Sequence, residues 1–159
     1  MIGCVSNERI YFRGQLRPDI LFVGEAVGDV EIALGEPFSG PAGQLLDTLI
    51  KESGLDKYKL LFTNSIICIP SNTLGGKLRA PKKTEIDNCS KRLAEFIRLS
   101  KPQHIVAVGS VAKRAIEKLH LSFVTIIHPA SILRQGEAGY IDHARLVDSL
   151  QQLAKRLNA

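Results

Sequence analysis

Long apolar runs are missing from this sequence of 159 residues. None approaches the roughly 20 residues that an α-helix needs to cross a bilayer. The start, MIGCVSNERIYFRGQ, has no apolar core of a secretory signal. Internal repeats, low-complexity segments and domain linkers are missing as well. We therefore expect a single cytoplasmic domain over residues 1–159, with one hydrophobic core and no membrane partner.

Cysteine is scarce. The sequence has three, Cys4, Cys68 and Cys89. An odd number in a cytoplasmic chain argues against a framework of disulfides. Taken singly, each is more typical of an inert buried side chain than of a ligand.

Positive charge exceeds negative charge, with a formal net charge of +5 and an isoelectric point near 9.2. Such an excess attracts polyanions, although many basic proteins bind no nucleic acid. The distribution is therefore more informative than the total. The segment GGKLRAPKK places Lys77, Arg79, Lys82 and Lys83 in one Gly- and Pro-containing loop. We expect this loop to be solvated and able to lie along a phosphate backbone.

Short apolar runs alternate with helical patterns along the chain. Continuous apolar runs are typical of strands that are covered on both faces. The strands are predicted at residues 19–24, 59–67, 104–109 and 123–127. The helices are predicted at residues 40–54, 84–101, 110–119 and 140–157. This alternation predicts an α/β fold, a three-layer α/β/α sandwich with a central four-stranded parallel sheet.

Local signals set the predicted ends of the helices. Thr84 and Ser110 are of the residue types that cap helix N-termini. Gly54 is the last residue of the helical segment at 40–54 and is expected to stop the helix. In the last helix, the spacing predicts that Ile141, Ala144, Val147, Leu150 and Ala154 face inward.

Ligands of parallel sheets bind beyond the carboxyl ends of the strands. The residues that the predicted strands deliver toward this edge include Glu25, Asn64, Gly109, Ser110 and His128. Each alone has an ordinary structural alternative, such as a cap or a bond to a backbone carbonyl. Together they predict a site at one edge of the sheet. The glycines around Glu25 fit neither a P-loop nor a dinucleotide fingerprint, and a carboxylate there suits a neutral or cation-like centre.

Four segments closely resemble the uracil-DNA glycosylase superfamily, especially its family 4 enzymes. GEAVGDVEIALGEPFSGPAGQLLD matches the first motif of that family, G-E-(G or A)-P-G-x-x-E and then G-x-P-F-x-G-x-A-G-x-L-L, without a gap. FTNSIICIP resembles the second motif, T-N-x-x-K-C-x-P, and HPASILR resembles the last, H-P-A-x-L-L-R. EIDNC resembles the site of a further family cysteine. The order and spread of these motifs extend the resemblance over nearly the whole chain.

The resemblance implies a catalytic pair that acts on a base flipped out of DNA. Glu25 would orient the attacking water and face the sugar, which develops positive charge in the transition state. His128 would hydrogen-bond the uracil O2 and stabilise the departing anion. Val27 stands where the family usually has proline, which loosens the turn but removes no functional group.

The same resemblance implies a set of residues that recognise uracil. Asn64 would bind the polar edge of the base with its amide, and Phe38 would stack on the ring. Glu31 corresponds to the family residue that blocks the thymine methyl group. The backbone amides of Ala26, Val27 and Gly28 would add contacts to the base.

Contacts to DNA are implied for the segments that flank these residues. Ser39, Gly40 and Ser131 would touch phosphates, in addition to Lys77 and Arg79 of the basic loop. Leu133 is the candidate wedge that fills the vacated base stack, with Arg134 as its phosphate partner. One of the neighbours Ile132 and Leu133 is expected to pack inside instead.

A 4Fe–4S cluster is implied by family 4 membership, but the cysteine set is incomplete. Cys68 and Cys89 match two family ligands, Cys4 matches a third, and Met1 stands where the fourth would be. Thiolates are the usual ligands of such clusters. An unusual fourth ligand could complete the set, and loss of the cluster is the alternative. We favour a bound cluster, because all three cysteine positions are retained.

The predicted activity is that of a monofunctional, monomeric uracil-DNA glycosylase of base excision repair. It would hydrolyse the N-glycosidic bond of uracil in single- or double-stranded DNA, with water as the nucleophile. No lysine lies in the three matched motifs to form a Schiff base. A non-catalytic DNA-binding or recruitment member of the superfamily is the main alternative. An unrelated nucleotide-binding enzyme of the doubly wound class is a more distant one.

Overall fold

A computed structural model describes residues 9–68, 70–71 and 78–159 of the chain. The strands are β1 (Arg13–Gly14), β2 (Ile20–Ala26), β3 (Leu60–Ile66), β4 (His104–Val108) and β5 (Val124–Ile126). The helices are α1 (Asp29–Leu34), α2 (Pro41–Glu52), α3 (Lys83–Ser100), α4 (Ser110–Glu117), α5 (Pro129–Gln135) and α6 (Tyr140–Asn158). Within these ranges, no helix is both long and apolar enough to cross a membrane.

The sheet has the order β1-β3-β2-β4-β5. Its last four strands are parallel, which confirms the predicted four-stranded core. The difference is β1, which pairs antiparallel with β3 through Arg13 opposite Phe62. A two-residue strand that contains Gly14 has no apolar run, so the hydrophobic pattern could not predict it.

Both faces of the sheet are covered. Ile20 and Phe22 of β2 belong to a cluster that includes buried residues of α2, α5 and α6. Leu21 and Val23 belong to a second cluster that includes buried residues of α3 and α4. This double burial explains why the strand is apolar throughout and does not alternate with polar residues. The three-layer α/β/α prediction is confirmed.

The four predicted helices exist, but their N-caps were predicted less well, and the short helices α1 and α5 were not predicted. Both predicted N-caps are wrong, because the caps are Lys82 before α3 and Gly109 before α4. Glu85 serves the start of α3 instead of Thr84, since its carboxylate accepts the Lys82 N–H at 2.7 Å. Gly54 follows α2 in the left-handed region at φ 73°, as a helix-stopping glycine should.

The buried face of α6 begins later along the helix than predicted. Leu150 and Ala154 are buried as predicted, together with Leu146 and Leu153. Ile141 is 48% exposed, and Ala144 is exposed too. The predicted stripe therefore began too early in the helix, and its first turns face solvent.

Candidate functional site

A cavity of about 860 Å³ opens at the carboxyl edge of the parallel strands. Strand ends supply Glu25 at the end of β2, Gly109 after β4 and His128 after β5. The turn 26–28, residues 78–80 and the first turn of α5 complete much of the wall. A volume of this size lies within the range of small-molecule sites. The edge position predicted from the strand order therefore coincides with a cavity of the described structure.

Glu25 is half-buried in the wall of this cavity. Its pKa is raised because burial removes water from the carboxylate. The positive charges of Arg134 and Arg114 act in the opposite direction and favour the ionised form. The carboxylate thus has weakened hydration but keeps two nearby cations, which suits a group that must bind and orient a polar ligand.

His128 lies at the N-cap of α5 and also lines the cavity. Its Nδ1 accepts a hydrogen bond from the Ala130 N–H at 3.1 Å. The proton of the neutral ring must then be on Nε2. Burial, with a smaller effect of Arg134, lowers the pKa of His128 to about 4. The imidazole is therefore a neutral hydrogen-bond donor at physiological pH.

Gly109 allows the imidazole to lie directly against the end of β4. Its φ is +90°, and a Cβ at this position would lie 2.9 Å from the Cβ of His128. Both the backbone conformation and the contact exclude a side chain here. The absence of a side chain at residue 109 therefore makes room for His128.

Asn64 and Phe38 meet at the residue before Glu25. A Cβ on Gly24 would lie 2.4 Å from Asn64 Oδ1 and 2.4 Å from Phe38 Cζ. Both side chains are buried, with 4% of Asn64 and 7% of Phe38 exposed. Neither is part of the cavity wall that contains Glu25 and His128. The structure thus forms two neighbouring groups of predicted residues, one on each side of the β2 end.

The sequence model of one protein family, the uracil DNA glycosylase superfamily, matches residues 12–154 of this chain. The chain belongs to this superfamily. Type-4 uracil-DNA glycosylases from three organisms are similar in sequence. That of Pyrobaculum aerophilum is 33% identical over 106 residues, 67% of this chain and 52% of the relative.

The protein of Archaeoglobus fulgidus is 36% identical over 114 residues, 71% of this chain and 55% of the relative. That of Sulfurisphaera tokodaii is 40% identical over 97 residues, 60% of this chain and 42% of the relative. The chain thus spans about half the length of the curated relatives that it matches. Its assignment to the superfamily confirms the resemblance of the motifs.

Glu31 ties together the two loops of the first family motif. Its Oε1 accepts the Gly40 N–H at 3.1 Å, and its Oε2 lies 2.8 Å from where a Cβ of Gly28 would be. Ser39, beside Gly40, donates its hydroxyl to the Glu36 carbonyl at 2.7 Å. The carboxylate of Glu31 therefore holds the glycine turns in place, and its predicted role toward thymine stays a prediction.

Three of the residues predicted to contact DNA belong to α5: two line the cavity, and the third, their neighbour in sequence, is exposed. Ser131 and Arg134 line the cavity, and the Ser131 hydroxyl donates to the His128 carbonyl at 2.9 Å. Leu133 is 49% exposed, whereas Ile132 is buried at 7%. Leu133 therefore has the exposure that a wedge requires, and Ile132 is the member of the pair that packs inside.

Arg79 differs from the solvated cation that the sequence predicted. Its Nη2 lies 2.6 Å and its Nη1 2.9 Å from the two carboxylate oxygens of buried Glu85. Its side chain is only 20% exposed. Arg79 lines the cavity as a paired, positioned group, while Lys82 and Lys83 are exposed. Lys77 lies outside the described residues.

Two cations of the site, both on α4, were not predicted from the sequence. Lys113 lines the cavity together with Ser110, one helical turn before it. Arg114 acts on the Glu25 carboxylate. The spacing of three residues between Ser110 and Lys113 could have indicated a shared polar face.

Cys68 and Cys89 are both buried and belong to the same apolar cluster. Cys4 lies outside the described residues. Among the residues that are described, no group of three or more Cys, His, Asp or Glu side chains could hold a metal ion. Cys89 is a thiol, whereas Cys68 is disulfide-bonded. The predicted use of these cysteines as cluster ligands therefore stays a prediction.

The low pKa of His128 predicts an acid-sensitive contribution to stability. The unfolded chain binds a proton at a pKa near 6.5, whereas the folded chain binds one only near a pKa of about 4. The free energy of unfolding should therefore fall as pH drops from about 6.5 toward 4. Urea unfolding at a series of pH values should show this loss in the wild type and a smaller loss in His128→Asn. Parallel curves for the two proteins would contradict the assigned neutral state.

Proposed function

We propose that this chain excises uracil from DNA by hydrolysing the N-glycosidic bond of a flipped nucleotide. The observation that carries the proposal is the cavity at the sheet edge, whose wall joins the carboxylate of Glu25 to the neutral imidazole of His128. The matching superfamily and the names of its similar relatives support the same substrate.

Breaking this bond leaves positive charge on the sugar and negative charge on the base. A site that is preorganised for both charges lowers the barrier. Glu25 faces the sugar, accepts a hydrogen bond from the attacking water and stabilises the developing cation. Arg114 and Arg134 favour its ionised form against the effect of burial on its pKa.

His128 stabilises the departing base. The Ala130 N–H occupies Nδ1, so Nε2 carries the proton and donates to the uracil O2 as negative charge builds there. A ring with a pKa of about 4 donates without being charged in the free enzyme. The positive charge of Arg134, which contributes to that low pKa, also favours an anion beside the ring.

Asn64 and Phe38 recognise the base at the Gly24 end of the site. The amide of Asn64 offers one donor and one acceptor to the polar edge of uracil. The Phe38 ring supplies a face for stacking. The turn at Ala26, Val27 and Gly28 provides backbone contacts, and Glu31 excludes a methyl-bearing base through the loops that it holds.

The DNA backbone runs past the mouth of the cavity. Arg134, Ser131 and Lys113 contact phosphates there, since all three line the opening. Ser39 and Gly40 provide further phosphate contacts, as do the basic residues Lys77 and Arg79. Leu133 enters the stack in place of the flipped base and lowers the cost of extrusion.

Reduced Cys68, Cys89 and Cys4 would be three thiolate ligands of a 4Fe–4S cluster, which is the type of ligand that such clusters prefer. In this structure Cys89 is a buried thiol and Cys68 is disulfide-bonded. A bound cluster would supply a structural cross-link, and no cysteine is among the residues proposed for the hydrolysis. Anaerobically purified protein should absorb in the visible near roughly 400 nm. Protein without iron, sulfide or this absorption would contradict the assignment.

The test uses a labelled oligonucleotide with one uracil, as a single strand and as a duplex, beside a thymine control. We expect abasic sites only in the uracil strands, with strand breaks only after alkali because no lyase step occurs. Glu25→Gln serves as the matched negative control. Intact uracil strands at low salt and excess protein would overturn the proposal, and tight binding without cleavage would indicate the non-catalytic alternative.

A further inference from the structure

Arg13 is placed outside the cavity but makes its hydrogen bonds to the loop that carries Phe38. Its Nε donates to the Pro37 carbonyl at 2.8 Å, and its Nη2 lies 3.4 Å from the Phe38 carbonyl. The same Nη2 lies 2.7 Å from Asp47 Oδ1. Arg13 thus fixes this loop from the side of the sheet, and β1 serves to present it.

The arginine also reaches Phe38 through a second aromatic ring. The guanidinium carbon lies 3.9 Å from the centroid of the Phe62 ring. Phe62 in turn contacts Phe38, with centroids 5.6 Å apart and ring planes at 57°. The backbone carbonyl and the ring of Phe38 are therefore both restrained by one side chain, directly and through Phe62.

Phe38 needs such restraint. Its φ is +57°, in the left-handed region that non-glycine residues adopt at a cost. Gly43 shows how tightly the loop packs, since a Cβ there would lie 1.8 Å from the Phe38 carbonyl oxygen. A strained residue persists only when its surroundings hold it, and Arg13 provides hydrogen bonds to the carbonyls of Pro37 and Phe38.

We infer that Arg13 is a positioning residue for base recognition, which orients Phe38 for stacking on the flipped uracil. The inference rests on the proposed function for the identity of the base. Its structural half, the restraint of residues 36–40, does not depend on the reaction.

The ion pair with Asp47 is the competing explanation for Arg13. It is 46% exposed on the aspartate side, and exposed pairs contribute little to stability. The planar guanidinium, by contrast, can serve the Pro37 carbonyl through Nε while Nη2 faces Asp47. Asp47→Asn should therefore leave the loop and the activity close to wild type, while Arg13→Gln should not.

The first test measures hydrogen–deuterium exchange of the amides of residues 36 and 38–40, since Pro37 has no N–H. We expect exchange to be several-fold faster in Arg13→Gln, because loss of the restraint increases local opening. Arg98→Gln is the matched control, since Arg98 pairs with Glu95 on the surface of α3 and its removal should leave these amides unchanged. Unchanged exchange in Arg13→Gln would overturn the inference. If Arg13→Gln does not fold, Arg13→Lys, which keeps the charge but not the Nε donor, takes its place.

The second test is a double-mutant cycle on uracil release from single-stranded DNA. Phe38→Ala should lower kcat/KM by roughly 5- to 150-fold through lost stacking, and Arg13→Gln by roughly 10- to 100-fold through misplacement. If Arg13 acts through Phe38, the double variant should match Phe38→Ala within about 2-fold. Fully additive losses would contradict the positioning role. Wild-type protein without glycosylase activity would refute the proposed function, while the exchange experiment would still decide the restraint.

Discussion

Replacing His128 with asparagine should lower kcat for uracil release by roughly 10²- to 10³-fold, with KM changed little. The variant loses the Nε2 donor that faces the departing base. It keeps the cap, because the asparagine Oδ1 can accept the Ala130 N–H that Nδ1 accepts in the wild type. Steady-state kinetics on a uracil oligonucleotide measure both constants.

A comparison with His128→Ala separates catalysis from helix capping. The alanine variant loses the cap as well and should unfold at a lower temperature, by an amount that corresponds to about 1 kcal/mol. Both variants should be similarly slow. If the asparagine variant retained near-normal turnover, the imidazole would have no part in stabilising the leaving group.

Replacing Glu25 with glutamine should lower kcat by roughly 10²- to 10⁴-fold. Glutamine has the same shape, but it neither accepts a water proton nor carries negative charge toward the sugar. Glu25 is only half-buried, and burial disfavours its ionised form and raises its pKa. A neutral glutamine of the same shape should therefore leave the chain folded. Single-turnover assays with excess enzyme isolate the chemical step from binding.

The pH dependence of wild-type turnover provides a second measurement on Glu25. Burial raises the pKa of this carboxyl above the ordinary value of 4.5. Activity requires the ionised form, so turnover should decline on acidification at a pH above that value. Glu25→Gln should lack this acid limb. An acid limb at or below the ordinary pKa, or an identical limb in the variant, would contradict the role.

The parallel core and its functional edge could be predicted from the sequence because each depends on a local pattern. Apolar runs such as residues 20–23 locate buried strands, and parallel strands end at a common edge. Glu25 lies at the end of one strand and His128 follows another, so their convergence on one cavity follows from the order of the chain. Coarse features of this kind need no knowledge of side-chain packing.

The remaining features depend on contacts between distant residues. Arg13 donates hydrogen bonds to Pro37 and Phe38, which are 24 and 25 positions further along the chain. It lies in a strand that is too short to have a recognisable hydrophobic pattern. Arg79 was predicted to be a solvated cation, because its ion pair with Glu85 forms only when the loop folds back on the start of α3. No periodicity indicates that Phe38 is buried against Gly24 and not in the cavity wall. Such pairings emerge only when the chain is folded.

The short helix α5 has one further consequence. It begins at the imidazole, through the bond from Ala130 to Nδ1, and it also carries the exposed side chain of Leu133. In the proposed reaction, a tilt of this helix against a duplex would turn the ring as well. DNA binding and the orientation of the Nε2 donor would then be coupled through one helix.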